Sequence, residues 1–95
     1  MKKEKIWEVV FFQKENGNIP VLDFLESLSL KMRAKALNEI ELLQKHGIFL
    51  REPYVKAIKG KKYRRLYELR VKLGNDAARI FYFSFRGNIF VLLNI

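Results

Sequence analysis

The apolar residues of this chain recur with two different periods, and the change of period falls near its middle. Residues 6–12 are rich in β-forming side chains and precede an Asn-Gly step at residues 16–17, which predicts a strand and a tight turn. Apolar positions then recur three and four residues apart, which is the spacing of a helix face. This pattern predicts one helix over residues 20–28, with Pro20 in its first turn, and a second helix that Ser29 caps and Gly47 ends.

The second predicted helix carries an apolar stripe of Leu37, Ile40 and Leu43, which Met32 and Ala36 widen. A stripe of this width lies against a core in most surface helices. We therefore expect these five side chains to pack against the rest of the protein.

His46 and Trp7 each allow a functional and a structural interpretation. His46 is the chain's one histidine and a candidate general base, but it directly precedes the glycine stop, where a solvated helix end is the favoured interpretation. Trp7 has the ring to stack on a nucleobase, but its neighbours are apolar, so we assign it to the core.

Period-two alternation marks the second half of the chain. Residues 66–72, 77–85 and 88–95 read as three strands joined by turns at residues 73–76 and 86–88, after a loop between Pro53 and Gly60. Because side chains alternate across a strand, one consistent assignment turns Leu69, Ile80 and Val91 toward the helices. The open face would then carry Glu68, Arg70, Arg79 and Asn94, together with the apolar Phe81, Phe83, Phe90 and Leu92.

Charge is concentrated in the same half. Of the formal net charge of +9, residues 1–50 contribute +1 and residues 51–95 contribute +8. Between Lys56 and Lys72 there are eight basic side chains and one acid, Glu68. Such a run is typical of a surface that binds a polyanion, either nucleic acid or an acidic partner. The structural alternative is a solvated basic loop.

Composition limits the class of protein further. The chain has no cysteine, which excludes disulfides, thiolate chemistry and cysteine-based zinc sites and fits a cytoplasmic protein. No signal peptide and no membrane span is predicted, and we expect no membrane partner. Its 95 residues suit a single domain.

Arg79 lies in the middle of an aromatic strand, between Ala78 and Ile80. A guanidinium in that setting is unfavourable unless it meets an anion. Two partners remain open: a cross-strand ion pair with Glu68, or the phosphate of a ligand.

Four segments of the chain together resemble the phage-derived, HigB-like branch of the RelE/ParE toxin superfamily. They are residues 18–25 (Asn-Ile-Pro-Val-Leu-Asp-Phe-Leu), 66–70 (Leu-Tyr-Glu-Leu-Arg), 78–82 (Ala-Arg-Ile-Phe-Tyr) and 90–94 (Phe-Val-Leu-Leu-Asn). The resemblance extends over nearly the whole chain. It implies an α+β fold with two N-terminal helices on one face of a small antiparallel sheet, and a toxin of a type II toxin–antitoxin system.

The same resemblance implies an activity and partners. Toxins of this kind typically cleave mRNA on the ribosome and are restrained by a helix-turn-helix antitoxin. Arg70 matches the arginine that ends the Tyr-Glu-Leu-Arg strand, and Arg79 matches the arginine that commonly contacts the scissile phosphate. The basic residues expected to hold RNA are Lys59, Lys61, Lys62, Arg64, Arg65 and Lys72.

Metal-independent RNA cleavage needs a base, cations around the phosphorane and an acid, and we expect no cofactor. Arg70 and Arg79 suit the cationic role. The base is Glu68 or a lysine whose pKa is lowered by neighbouring cations. Tyr82 is a candidate acid, but alternation places it on the face opposite Arg79, which favours core packing.

Relatives in the superfamily generally continue past the last strand with a basic motif and a C-terminal helix, whereas this sequence ends at Ile95. Three hypotheses stay open: an endoribonuclease toxin, a catalytically silent protein that binds antitoxin or RNA, and a gyrase inhibitor. An apolar open face would favour association with an antitoxin or formation of a homodimer.

Overall fold

The computed structural model describes residues 7–60 and 65–94. Within these residues, five strands, two α-helices and one short 3₁₀ turn follow one another. In order they are β1 (Glu8–Phe11), α1 (Pro20–Ser27), α2 (Leu30–His46), the 3₁₀ turn (Gly47–Phe49), β2 (Val55–Ala57), β3 (Leu66–Leu73), β4 (Asp76–Phe85) and β5 (Ile89–Leu92). None of the helices in the described part of the chain is long and apolar enough to cross a membrane.

The helix boundaries follow from local side-chain chemistry, as predicted. Pro20 occupies the first turn of α1, where its missing N–H costs no hydrogen bond. Ser29 caps α2 by accepting a hydrogen bond at 3.2 Å from the backbone N–H of Met32. Gly47 ends α2 with a φ of 58°, and a Cβ at this position would collide with the indole of Trp7. Glycine is therefore required there both by the backbone and by the close approach of Trp7.

The sheet is mixed, and its strands lie in the order β1-β5-β4-β3-β2. The three pairs among β2, β3, β4 and β5 are antiparallel, but β1 pairs parallel with β5. The expectation of a purely antiparallel sheet is therefore wrong for β1. The two helices between β1 and the later strands supply the crossover that a parallel neighbour needs. β2 lies in the segment predicted as a loop between Pro53 and Gly60, and with three residues it is too short to show a period.

The core lies between the helices and one face of the sheet. The buried side chains of α2 are Met32, Ala36, Glu39, Ile40 and Leu43. The prediction for Leu37 is wrong, because its side chain is 49% exposed. At about 100° per residue, Leu37 lies a quarter turn round the helix from Ala36, while Glu39 falls at the buried edge.

Pairing across the sheet decides which face each strand residue occupies. Leu69 pairs with Ile80 and Tyr82 pairs with Leu92, and all four side chains are buried. Val91 instead pairs with Phe83 and is half-buried on the open face. The predicted orientation of the last strand is therefore inverted: Phe90 and Leu92 belong to the core, and Val91 does not. Ile89 lies opposite Phe85 after a three-residue turn, and this register fixes the inversion.

Candidate functional site

Arg70 and Arg79 lie directly opposite each other on β3 and β4, on the face of the sheet away from the helices. Glu68, two residues before Arg70, shares that face. Its Oε2 lies 3.3 Å from Nε of Arg70 and 4.0 Å from Nε of Arg79. The alternation predicted from sequence thus brings all three side chains together.

The charges of this group do not cancel. Two like charges directly opposite on a sheet repel each other, and the carboxylate of Glu68 offsets that repulsion. One carboxylate faces two guanidiniums, so the trio keeps a net charge of +1 by simple count of these three groups. The Glu68 side chain is 7% exposed, whereas those of Arg70 and Arg79 are 40% and 60% exposed. The two guanidiniums therefore reach solvent, while the carboxylate that they contact is buried.

The ion pair expected as a structural role for Arg79 is present. The expectation that Arg79 is buried among aromatic rings is wrong, because its guanidinium reaches water. An exposed arginine does not need an internal counter-charge. The phosphate-binding role of Arg79 stays a prediction, and the exposed guanidinium is free to approach a ligand.

A cleft of about 350 Å³ opens beside the trio. Its lining consists of Lys56, Ala57, Ile58, Lys59, Glu68, Arg70 and Arg79. Lys56 pairs with Glu68 across β2 and β3, which sets its ammonium on the same face. The basic run contained Lys56, but sequence reasoning did not assign it to the site. The three residues of β2 are too few to show an alternation, so no local signal placed Lys56 at the site.

The remaining basic residues predicted to bind RNA fall in different places. Lys59 lines the cleft, and Arg65 is exposed at the start of β3 with a φ of 66°. Lys72 is exposed and lines a second cavity of about 400 Å³, which Arg70, Arg79 and Tyr54 also border. Lys61, Lys62 and Arg64 lie outside the described residues.

Apolar side chains cover the other half of the open face. Val10, Val91, Phe83 and Leu66 form one row across β1, β5, β4 and β3. The apolar surface predicted for this face is present only in part: Phe81 and Phe83 lie there, but Phe90 and Leu92 are in the core. A cationic half and an apolar half lie side by side on one sheet.

Three side chains that were candidates for a chemical role lie in the core or at a helix end. Tyr82 is buried and stacks on Tyr67 with ring centroids 5.5 Å apart, which confirms the core assignment. Burial raises the pKa of Tyr82 far above its ordinary value, and Tyr67 adds to the effect. Trp7 packs against the core and meets Phe49 edge to face, as expected. His46 is exposed at the end of α2.

Within residues 7–60 and 65–94, no three His, Cys, Asp or Glu side chains come together as a metal-binding group. The charged groups of the described residues that line the 350 Å³ cleft are guanidiniums, ammoniums and one carboxylate. Together they can hold an anion and move a proton.

The chain matches the family model described as phage-derived protein Gp49-like (DUF891) over residues 23–95. The matched region is more than half of the chain and includes α2 and strands β2 to β5. The match does not single out the HigB-like branch. No curated protein matches the sequence.

Proposed function

We propose that this chain, which belongs to the Gp49-like family of phage-derived proteins, is the toxin of a toxin–antitoxin pair and acts by cleaving RNA at the Glu68–Arg70–Arg79 site. The family is a RelE/ParE-like toxin family often found in toxin–antitoxin systems. The fold with two helices and a five-stranded sheet is compatible with that membership. The cleavage step, the ribosome as its location and a helix-turn-helix antitoxin as its inhibitor belong to the proposal.

A single observation carries the proposal: two solvent-facing arginines from adjacent strands converge on one buried carboxylate beside a lysine-lined cleft. Guanidiniums bind phosphate oxygens with charge-assisted hydrogen bonds, often two at a time. Placed where negative charge develops, they stabilise a pentavalent phosphorane more than they stabilise the ground state. The arrangement therefore suits phosphoryl chemistry as well as simple binding.

Glu68 supplies the base in this proposal. Both arginine contacts are to Oε2, so Oε1 is the oxygen that takes the proton of the ribose 2′-hydroxyl. The 2′-oxygen then bonds to phosphorus while the bond from phosphorus to the 5′-oxygen breaks, giving a 2′,3′-cyclic phosphate. The leaving 5′-oxygen takes a proton from Lys56, Lys59 or water.

A second candidate is a protein that binds RNA without cutting it. It is favoured by the surroundings of the site, because no His or Tyr is among the described residues lining the 350 Å³ cleft. In that case Glu68 only organises the two arginines. Cleavage of a labelled RNA separates the candidates directly, since binding alone leaves the strand intact.

The decisive experiment compares Arg79→Ala with Arg86→Ala, a control at an exposed arginine in the turn that follows β4. Arg79→Ala should slow cleavage by about 10²- to 10³-fold, the usual cost of one transition-state donor. RNA affinity should change only a few-fold, because a single phosphate contact is lost. Arg86→Ala should leave the cleavage rate unchanged. Full cleavage by folded Arg79→Ala protein would remove this arginine from the mechanism.

A further inference from the structure

Arg79 borders a third cavity that the phosphate site does not explain. It is a shallow depression of about 560 Å³ that is largely open to solvent. The lining consists of Lys14, Pro20, Asp23, Phe24, Arg79, Phe81 and Asn94. It thus joins the start of α1 to the part of β4 around Phe81, whose backbone hydrogen-bonds to Leu93 and Asn94 just beyond the end of β5.

The lining has the composition of a nucleobase site. Phe81 and Phe24 offer apolar rings, and single-stranded RNA is commonly held by stacking its bases on such rings. Asp23 offers a carboxylate that can only accept hydrogen bonds. Asn94 is held by a hydrogen bond at 3.2 Å from the backbone N–H of Phe81 to its Oδ1. Because that bond engages Oδ1, the NH₂ end of the amide is the end left for a ligand.

The position of the cavity fits one nucleotide better than a separate ligand. Arg79 lines both this cavity and the cleft of the Glu68–Arg70–Arg79 site. In RNA each phosphate is joined through a ribose to a base, so a phosphate on Arg79 brings a neighbouring base to the second opening.

We propose that this cavity holds the nucleobase next to the scissile phosphate, with Phe81 stacking on its face and Asp23 accepting from its exocyclic amino group. The proposal rests on the function proposed above and adds a preference to it: cytosine is favoured over uracil. Cytosine presents an amino donor at the position where uracil presents a carbonyl oxygen, which a carboxylate repels.

Equilibrium binding to uncleavable probes tests the proposal apart from the chemistry. The probes are tetranucleotides with 2′-deoxy sugars, bearing four cytosines, four uracils or no bases. The unmodified 95-residue protein should bind the cytosine probe about 5- to 140-fold more tightly than the abasic one, the range expected for one stacked base. Phe81→Leu should lose most of that difference, and Asp23→Asn should bring the cytosine and uracil probes to within about twofold.

Two control substitutions match these variants. Glu26→Gln lies on the same helix as Asp23 outside the cavity lining, and Phe85→Leu lies on the same strand and face as Phe81. Both should retain the preference of the unmodified protein. Equal affinity for the cytosine and abasic probes would overturn the base site, while salt-dependent binding of both would leave the phosphate site standing. Absence of any salt-dependent binding would overturn both.

Discussion

Replacing Glu68 with glutamine should strengthen RNA binding and slow cleavage, a pair of opposite effects that follows from its contacts with two arginines. Glu68→Gln keeps the shape of the side chain and removes its charge. Among the described residues that line the cleft, Lys56, Lys59, Arg70 and Arg79 then face a phosphate with no acid beside them. At roughly 6 Å and an effective dielectric constant of about 40, one unit charge repels a phosphate by about 1.4 kcal/mol. Binding should therefore tighten about tenfold.

Cleavage should move the other way. Loss of a general base slows a reaction by about 10²- to 10⁴-fold. Stability should fall only slightly, because both partner arginines are substantially solvated. Each such pair is worth about 0.5 kcal/mol, so the loss is about 1 kcal/mol and the Tm falls by about 4–8 °C.

Three measurements on one protein sample check this reasoning: fluorescence titration with a deoxy-substituted RNA, a cleavage time course, and thermal unfolding by circular dichroism. Glu41→Gln, an exposed acid on α2, is the control for charge alone. Weaker RNA binding by Glu68→Gln would show that the carboxylate orients the arginines and that its repulsion is secondary. An unchanged cleavage rate would exclude Glu68 as the base.

Four further predictions concern the fold around the site. Gly47→Ala should destabilise the protein by at least about 1–3 kcal/mol in chemical unfolding, since the new Cβ meets Trp7 at a positive φ. Ser29→Ala should cost about 1 kcal/mol in the same assay through loss of the α2 cap. Leu92→Ala should cost about 2–5 kcal/mol, whereas Val91→Ala on the open face should cost clearly less; equal losses would contradict the register of β5. Because burial raises the pKa of Tyr82, its contribution to stability is complete below pH 10 and is lost as the pH rises further, and Tyr82→Phe should remove this alkaline loss.

Local signals in the sequence predicted the helices, and non-local pairing limited the prediction of the sheet. Ser29 and Gly47 mark their helix ends through contacts within a few residues, so the boundaries could be read directly. The parallel pairing of β1 with β5 joins segments about eighty residues apart, which no local pattern encodes. The orientation of β5 depends on the turn at Arg86 and Gly87, whose φ angles of 56° and 79° set the register.

The same contrast applies to the candidate site. Glu68 and Arg70 are two residues apart on one strand, and alternation alone places them on one face. Lys56 reaches them only through pairing of the short β2. Asn94 was expected on the open face by alternation, but it lies beyond the end of β5 with a φ of 39°, and its hydrogen bond to Phe81 brings it to Arg79.

One face of the sheet builds the hydrophobic core, and the other face carries the proposed site. The hydrophobic core is built from one face, and neither Arg70 nor Arg79 belongs to it. Substituting either arginine should therefore change the chemistry of the site while the fold persists, because most stability of a small domain comes from its buried apolar surface. Glu68 differs from both arginines, since it is buried yet contacts the open-face cations. A defect that follows Arg79 without any loss of folding is thus evidence about mechanism, whereas a defect at Glu68 becomes such evidence only when stability is measured on the same protein.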